Sequence, residues 1–285
     1  MNDAARKWSG RIGLALAACS VAFVAARFLQ YRDDLAAAHV PPVVWLAVPA
    51  FAALYAASSV LLASAWRDLL AALGHPARLR WCIGTYGLSQ LAKYIPGNVF
   101  QFAGRQLIGA SGGLPHGVLA RSALHELFGL AAAGALISLW ALPLVAGGPS
   151  WLSTPLVGAA PVVLALVTVH LVAGARLARV LGAHMLFLLA AAIVFFWLLG
   201  LLAPHPDQAA AWLPIWGAYT AAWMAGFATP GAPAGLGVRE LVLLFLLSGR
   251  VQEEALLVAV ALARLITVLG DLLFFGAAAW AARTR

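Results

Sequence analysis

Charge is what this sequence has least of. Only 10% of its 285 residues are Asp, Glu, Lys or Arg, whereas a soluble domain carries about 25%. Hydrophobic residues make up 64%. This balance excludes a soluble globular protein and predicts an all-α polytopic membrane protein, with a single integral membrane domain over residues 1–285.

Cysteine and catalytic signatures are nearly absent as well. Cys19 and Cys82 lie apart in apolar stretches, so no disulfide framework or metal-binding spacing is present. The seven histidines show no metal-ligand spacing, and no serine stands in a nucleophile elbow. Gly235-Leu236-Gly237 lacks the strand-turn-helix context of a nucleotide site. We expect no metal, no cofactor and no enzymatic activity.

The basic residues are scattered between apolar runs and give a net charge of +8. Orientation signals and contact with anionic lipid headgroups explain this pattern better than nucleic-acid binding. Arg6, Lys7 and Arg11 precede the first apolar run, and Arg283 and Arg285 follow the last. Both termini are therefore predicted to be cytoplasmic. Abundant Ala, Leu and Arg with little Lys favours a bacterial protein of the inner (cytoplasmic) membrane.

The apolar runs predict six full spans and two interrupted segments. The spans are residues 12–29, 43–65, 118–142, 151–173, 184–203 and 255–282. Residues 81–110 and 212–247 are instead broken by glycine and proline, and crossing a bilayer takes about 20 residues per helix. We interpret these two segments as re-entrant or broken helical hairpins.

The two interrupted segments share a spacing. Seven residues separate Pro96-Gly97 from Arg105, and seven separate Pro230-Gly231 from Arg239. The flanking elements also match in order, and the charge pattern gives the two halves opposite orientations. We therefore predict an inverted-topology repeat, about 1–146 and 147–285, of the kind that places a transporter's site near the membrane midplane.

Eight charged residues are predicted to lie at depth. The cations are Lys93, Arg105, Arg121, Arg239 and Arg264, and the acids are Glu126, Glu240 and Asp271. Each costs about 2.5–3.5 kcal/mol at the bilayer centre unless it is paired or hydrated. Three cations can be neutralised, so two remain, and arginine suits a phosphate or carboxylate. The alternatives are ion pairs that only hold helices together, or side chains that reach the interface.

Several motifs resemble one known family. Lys93-Tyr94-Ile95-Pro96-Gly97, Gly104-Arg105, Glu126, the stretch from Gly235 to Glu240 and Arg264 are similar to the transmembrane region of lysylphosphatidylglycerol synthases. That region also occurs as a stand-alone family of bacterial and archaeal membrane proteins. In the multiple peptide resistance factor it is credited with moving a lysyl-lipid across the bilayer, while a separate soluble domain makes the lipid. With 285 residues, this chain is expected to lack the synthase activity.

Charge and resemblance together predict a lipid translocase, or flippase-like transporter, that recognises an anionic, phosphate-bearing headgroup in a central cavity. Its partners would be membrane lipids, not nucleic acid, and transport would be facilitated or ion-coupled. The alternative is a non-catalytic membrane subunit that presents a lipid or polyprenyl intermediate to a separate envelope biosynthesis enzyme. The predicted substrate-binding residues are Lys93, Tyr94, Pro96, Gly97, Arg105, Glu126, Pro230, Gly235, Gly237, Arg239, Glu240, Arg264 and Asp271.

Overall fold

The computed structural model of the chain describes residues 40–94, 100–146, 154–203, 212–229, 235 and 237–283. These residues form α-helices, short 3₁₀ segments and connecting turns, which confirms the all-α class for this part of the chain. The helices are α1 (Pro42–Ala72), α2 (Leu79–Gln90), α3 (Phe100–Ser111), α4 (His116–Ser138), α5 (Leu142–Ala146), α6 (Pro155–Ala173), α7 (Ala175–Leu202), α8 (Trp212–Ala228), α9 (Val238–Leu247) and α10 (Glu253–Arg283). The 3₁₀ segments are Leu91–Tyr94 and Leu139–Ala141.

Five helical stretches are long and apolar enough to cross a membrane. They are Pro42–Ala72, His116–Val145, Pro155–Ala173, Ala175–Leu202 and Glu253–Ala281. They coincide with five of the six predicted spans, as expected of a membrane-embedded protein. The remaining predicted span, residues 12–29, lies outside the described residues.

One predicted boundary is wrong. The apolar runs predict that the fifth span begins at residue 184, but α7 already begins at Ala175 and includes Arg176 and Arg179. Gly174 alone separates α6 from α7. Its positive φ of 88° turns the chain in a single residue, a conformation that glycine adopts without steric cost. Both arginines therefore lie in the first turns of α7.

The interrupted segments consist of helices shorter than a span. The helices α2 and α3, of 12 residues each, flank residues 95–99. The helices α8, of 17 residues, and α9, of 10, flank residues 230–234. Pro96, Gly97 and Pro230 lie outside the described residues.

The core forms where α1 packs against α7 and α10, and where α4 and α8 pack against α7 and against each other. Aromatic contacts mark these interfaces. The rings of Tyr55 and Phe187 lie 5.7 Å apart, and those of Phe195 and Tyr219 stack at 5.0 Å. In α6, by contrast, Gly158 is the only buried residue. The functional groups described below lie within the packed part.

One end of the bundle collects basic side chains. Arg176 reaches the carbonyl of Ala71 at the end of α1, and Arg80 reaches that of Ala281 near the end of α10, each at 3.4 Å. Asp68 accepts hydrogen bonds from Arg67 and Arg179. Arg78 and Arg121 lie in the first residues of nearby helices. At the opposite end, the α9–α10 turn carries Arg250, Glu253 and Glu254.

Candidate functional site

Three ion pairs join the short helices to the spans. They are Arg105–Glu126, Lys93–Asp271 and Arg264–Glu240. Arg264 and Asp271 lie near the middle of the 31-residue α10. Because an α-helix rises 1.5 Å per residue, these groups are deep within the bundle. Each of the three predicted deep carboxylates is thus paired with one cation.

The Arg105–Glu126 pair is the most completely buried of the three. Arg105 of α3 is 5% exposed and Glu126 of α4 is 1% exposed. The guanidinium donates to both carboxylate oxygens, at 2.9 Å for the Nη2–Oε1 bond, and the Tyr86 hydroxyl donates to Oε1 at 2.8 Å. A bidentate pair of this kind is strong and fixed in orientation. It fastens α3 and α2 to α4.

Aromatic rings enclose the Arg105 guanidinium. Its central carbon lies 4.1 Å from the ring centroid of Tyr86, 4.9 Å from that of Phe102 and 5.9 Å from that of Trp66. Such cation–π contacts add to the stability of a desolvated cation. The adjoining cavity, of about 10 Å³, has room for about one water molecule. In this conformation Arg105 is fully engaged within the protein.

The second pair centres on Asp271, which is fully buried. Its carboxylate receives Lys93 Nζ at 2.6 Å, the Tyr94 hydroxyl at 2.5 Å and the Gln90 amide at 3.2 Å. Three donors from the end of α2 and the adjoining 3₁₀ segment thus converge on one acid of α10. This satisfies the carboxylate, as burial of a charge requires.

The third pair fixes the chain just before α9. Arg264 Nε donates to Glu240 Oε1 at 3.0 Å, and Arg264 Nη2 donates to the carbonyl oxygen of Gly235 at 2.9 Å. The other carboxylate oxygen of Glu240, Oε2, is buried without a hydrogen-bond partner in the described part of the protein. Arg264 therefore holds both Gly235 and Glu240 in place.

Arg239 has no carboxylate partner among the described residues. Its Nε is buried without a hydrogen-bond partner, and its guanidinium lies 5.5 Å from the ring centroid of Trp223. The charges of Arg264 and Lys93 repel it. Arg121, the other unmatched cation of the charge count, lies exposed near the start of α4. The surplus positive charge inside the bundle thus falls on Arg239.

Gly226 and Gly235 make room for Arg239. A Cβ atom at Gly226 would lie 2.8 Å from Arg239 Cγ and 2.9 Å from the Cα of Gly235. Gly235 and Gly237 have φ angles of 71° and 81°, in the region that side chains disfavour. Glycine at these positions lets α8, the chain before α9 and the arginine approach one another.

The structure brings together most of the predicted site residues, but in two groups. Lys93, Tyr94 and Asp271 lie near the group of Gly235, Arg239, Glu240 and Arg264, whereas Arg105 and Glu126 form a separate pair. Sequence reasoning missed Tyr86, Gln90, Trp223 and Gly226. The i, i+4, i+8 spacing of Tyr86, Gln90 and Tyr94 could have revealed the first two, because such residues share a helix face.

Comparisons add no family assignment. No protein-family model matches the sequence, and no curated protein matches it significantly. The resemblance to the lysylphosphatidylglycerol synthase membrane region stays a prediction from motifs. In the described residues, no group of three or more His, Cys, Asp or Glu side chains could hold a metal ion.

Proposed function

We propose that this chain is a lipid translocase of the bacterial inner membrane that binds an anionic, phosphate-bearing headgroup at Arg239. The observation that carries the proposal is the unmatched guanidinium, which lies inside the bundle with no carboxylate partner among the described residues. A desolvated cation is costly unless an anion joins it. A ligand phosphate would supply that anion and accept two parallel hydrogen bonds.

Neighbouring charges support an anionic ligand. Among the described residues, Lys93, Arg239 and Arg264 have two carboxylates near them, Asp271 and Glu240, so this described group carries one excess positive charge. Charge interactions strengthen in a low-dielectric interior. The Trp223 ring, 5.5 Å from the Arg239 guanidinium, gives that cation a π-face contact that leaves its charge unneutralised.

The architecture supports transport over catalysis. We interpret α2–α3 and α8–α9 as two re-entrant hairpins of an inverted repeat, the arrangement by which many transporters form a site near the midplane. The arginine-rich end of the bundle is assigned to the cytoplasm by the positive-inside rule, with both termini on that side. The resemblance to the lysylphosphatidylglycerol synthase membrane region points to the same substrate class.

The test is leaflet exchange in liposomes that contain labelled phosphatidylglycerol or labelled phosphatidylcholine. Wild-type protein is expected to accelerate exchange of the anionic lipid, and Arg239→Gln to reduce the rate at least about tenfold, because one charged hydrogen-bonding group contributes about 1.5–3 kcal/mol. Arg121→Gln, which removes the exposed cation, is the matched control and should retain the wild-type rate. Wild-type exchange by folded Arg239→Gln would overturn the proposal.

A second measurement separates transport from binding. Phosphatidylglycerol that co-purifies with wild-type protein and is lost from Arg239→Gln would support the anion site. If that lipid binds but does not exchange between leaflets, the translocase proposal fails. The protein would then be the alternative, a subunit that presents a lipid or polyprenyl intermediate to an envelope biosynthesis enzyme.

A further inference from the structure

His184 is a buried titratable group with no role in the anion site. It lies in α7 and is 0% exposed, and neither ring nitrogen makes a hydrogen bond of normal geometry to a residue that the structure describes, although Nδ1 lies close to the backbone of Gly129. Leaving a buried polar group unsatisfied costs about 1–3 kcal/mol. Native proteins keep few such groups, and each invites a functional explanation.

Its surroundings connect His184 to the Arg105–Glu126 pair. The ring packs on Gly129 of α4, where a Cβ atom would lie only 2.6 Å from Nδ1. Gly129 follows Glu126 by three residues, so the two share a face of α4. The charges of Glu126 and Arg105 both act on the imidazole. The histidine is thus a titratable neighbour that the pair does not use.

We propose that His184 is a proton-binding site that controls the Arg105–Glu126 pair and supplies the coupling ion for the transport proposed above. Proton uptake converts the imidazole to a cation with two N–H donors. A buried cation requires a carboxylate, and Glu126 lies one helical turn from Gly129. Sharing Glu126 with His184 weakens its hold on Arg105. The freed guanidinium then becomes a second place for the ligand phosphate.

Other charged groups around α7 are already committed or distant. Asp68 of α1 is held by Arg67 and Arg179, and Asp271 of α10 is held by Lys93. The remaining described titratable groups on helices packed against α7 are Tyr55 of α1, His116, Arg121 and His125 of α4, His170 of α6, Tyr219 of α8, and Glu253, Glu254 and Glu240-bound Arg264 of α10. Among the described carboxylates, Glu126 is the one whose charge acts on His184.

The first experiment observes the proton directly. Protein with ¹⁵N-labelled histidine is placed in nanodiscs and followed by NMR between pH 4.5 and 8, and His184→Gln identifies the resonance that belongs to this ring. We expect that resonance to shift with pH in the wild-type protein. A resonance that stays constant over the whole range would overturn the proposal. This readout does not depend on lipid transport.

The second experiment measures lipid exchange against pH. Wild-type exchange of phosphatidylglycerol is expected to rise at least about fivefold from pH 7.5 to pH 4.5, the lower range of allosteric couplings. His184→Gln, with His184→Asn as a second variant, should give a flat profile. His125→Gln, which changes an exposed histidine of α4, should keep the wild-type profile.

The two experiments fail in different ways. An unchanged pH dependence in folded His184→Gln would overturn the proton site while leaving the translocase proposal intact. If no variant exchanges lipid at any pH, the translocase proposal fails, and with it the coupling role of His184. A titrating His184 resonance would still support proton binding there.

Discussion

Arg105 and Arg239 occupy matching points of the two Pro-Gly-x₇-Arg motifs, yet their neighbours differ. Arg105 is closed by Glu126 and three aromatic rings, while Arg239 has Trp223 beneath it and no described carboxylate beside it. In a membrane interior this difference decides which guanidinium could bind an anionic ligand directly, because a paired arginine must first break its ion pair. In the described conformation, Arg239 has no ion pair with a described carboxylate to break.

The buried pair at Arg105 predicts a large stability effect. In Glu126→Gln, Arg105 would lose its counter-charge while still buried, and we expect a loss of about 3–5 kcal/mol. The measurement is the thermal or denaturant-induced unfolding of purified protein in detergent. Glu254→Gln, at an exposed acid in the first turn of α10, should stay within about 0.5 kcal/mol of the wild type. Equal stability of the two variants would contradict this account of the pair.

At the scale of helices, the spans could be predicted and the connections between them could not. Long apolar runs determine membrane crossing by composition, so five spans were found near their observed places. The merging of Arg176 and Arg179 into α7 depends on a single glycine conformation at Gly174. Side-chain partners were also out of reach, because Glu126, Glu240 and Asp271 could each have served several cations. The number of ion pairs, three, could be predicted by counting the deep carboxylates. Which cation pairs with which carboxylate depends on how the helices pack.

The contact between α8 and the start of α9 predicts a specific effect of one methyl group. In Gly226→Ala the new Cβ would clash with Arg239 and Gly235, and we expect displacement of Arg239 and a several-fold loss of phosphatidylglycerol binding. Gly276→Ala is the matched control, because a Cβ there meets nothing within 4 Å in α10. It should keep binding and gain up to about 1 kcal/mol of stability. Co-purified lipid and unfolding temperature provide the two measurements, and normal binding by Gly226→Ala would count against the site.

At the scale of the whole molecule, the inverted repeat predicts that the turns after α3 and α9 face opposite sides of the membrane. Cysteines at Ser111 and Arg250, both exposed, test this with a membrane-impermeant thiol reagent on intact cells. Ser111 serves better than Gly113, whose φ of 92° disfavours a side chain. We expect labelling of Arg250→Cys from outside and of Ser111→Cys only after the cells are opened. Labelling of both from the same side would disprove the inversion.

The native cysteines set the background for that experiment. Cys82 is buried in α2, and Cys19 lies in a predicted span, so a variant with alanine at both positions provides the control without reactive thiols. If this cysteine-free variant is not labelled, any signal in the test variants comes from the introduced cysteine. Strong labelling of the cysteine-free variant would show that the reagent reacts with other groups, and the experiment would then need a reporter residue other than cysteine.

The outward position of α6 has a consequence for how freely its sequence can vary. With Gly158 as its only buried residue, α6 must be apolar but need not fit any particular shape, so exchanges among Leu, Val, Ile and Ala are tolerated along most of it. The next helix, α7, is as apolar but contributes twelve buried residues, and close packing there penalises a change of even one methylene. Two adjacent spans of similar hydropathy are therefore constrained differently. The sequence of α6 needs only to be apolar over the thickness of the membrane, whereas the side chains of α7 must also fit their packed neighbours.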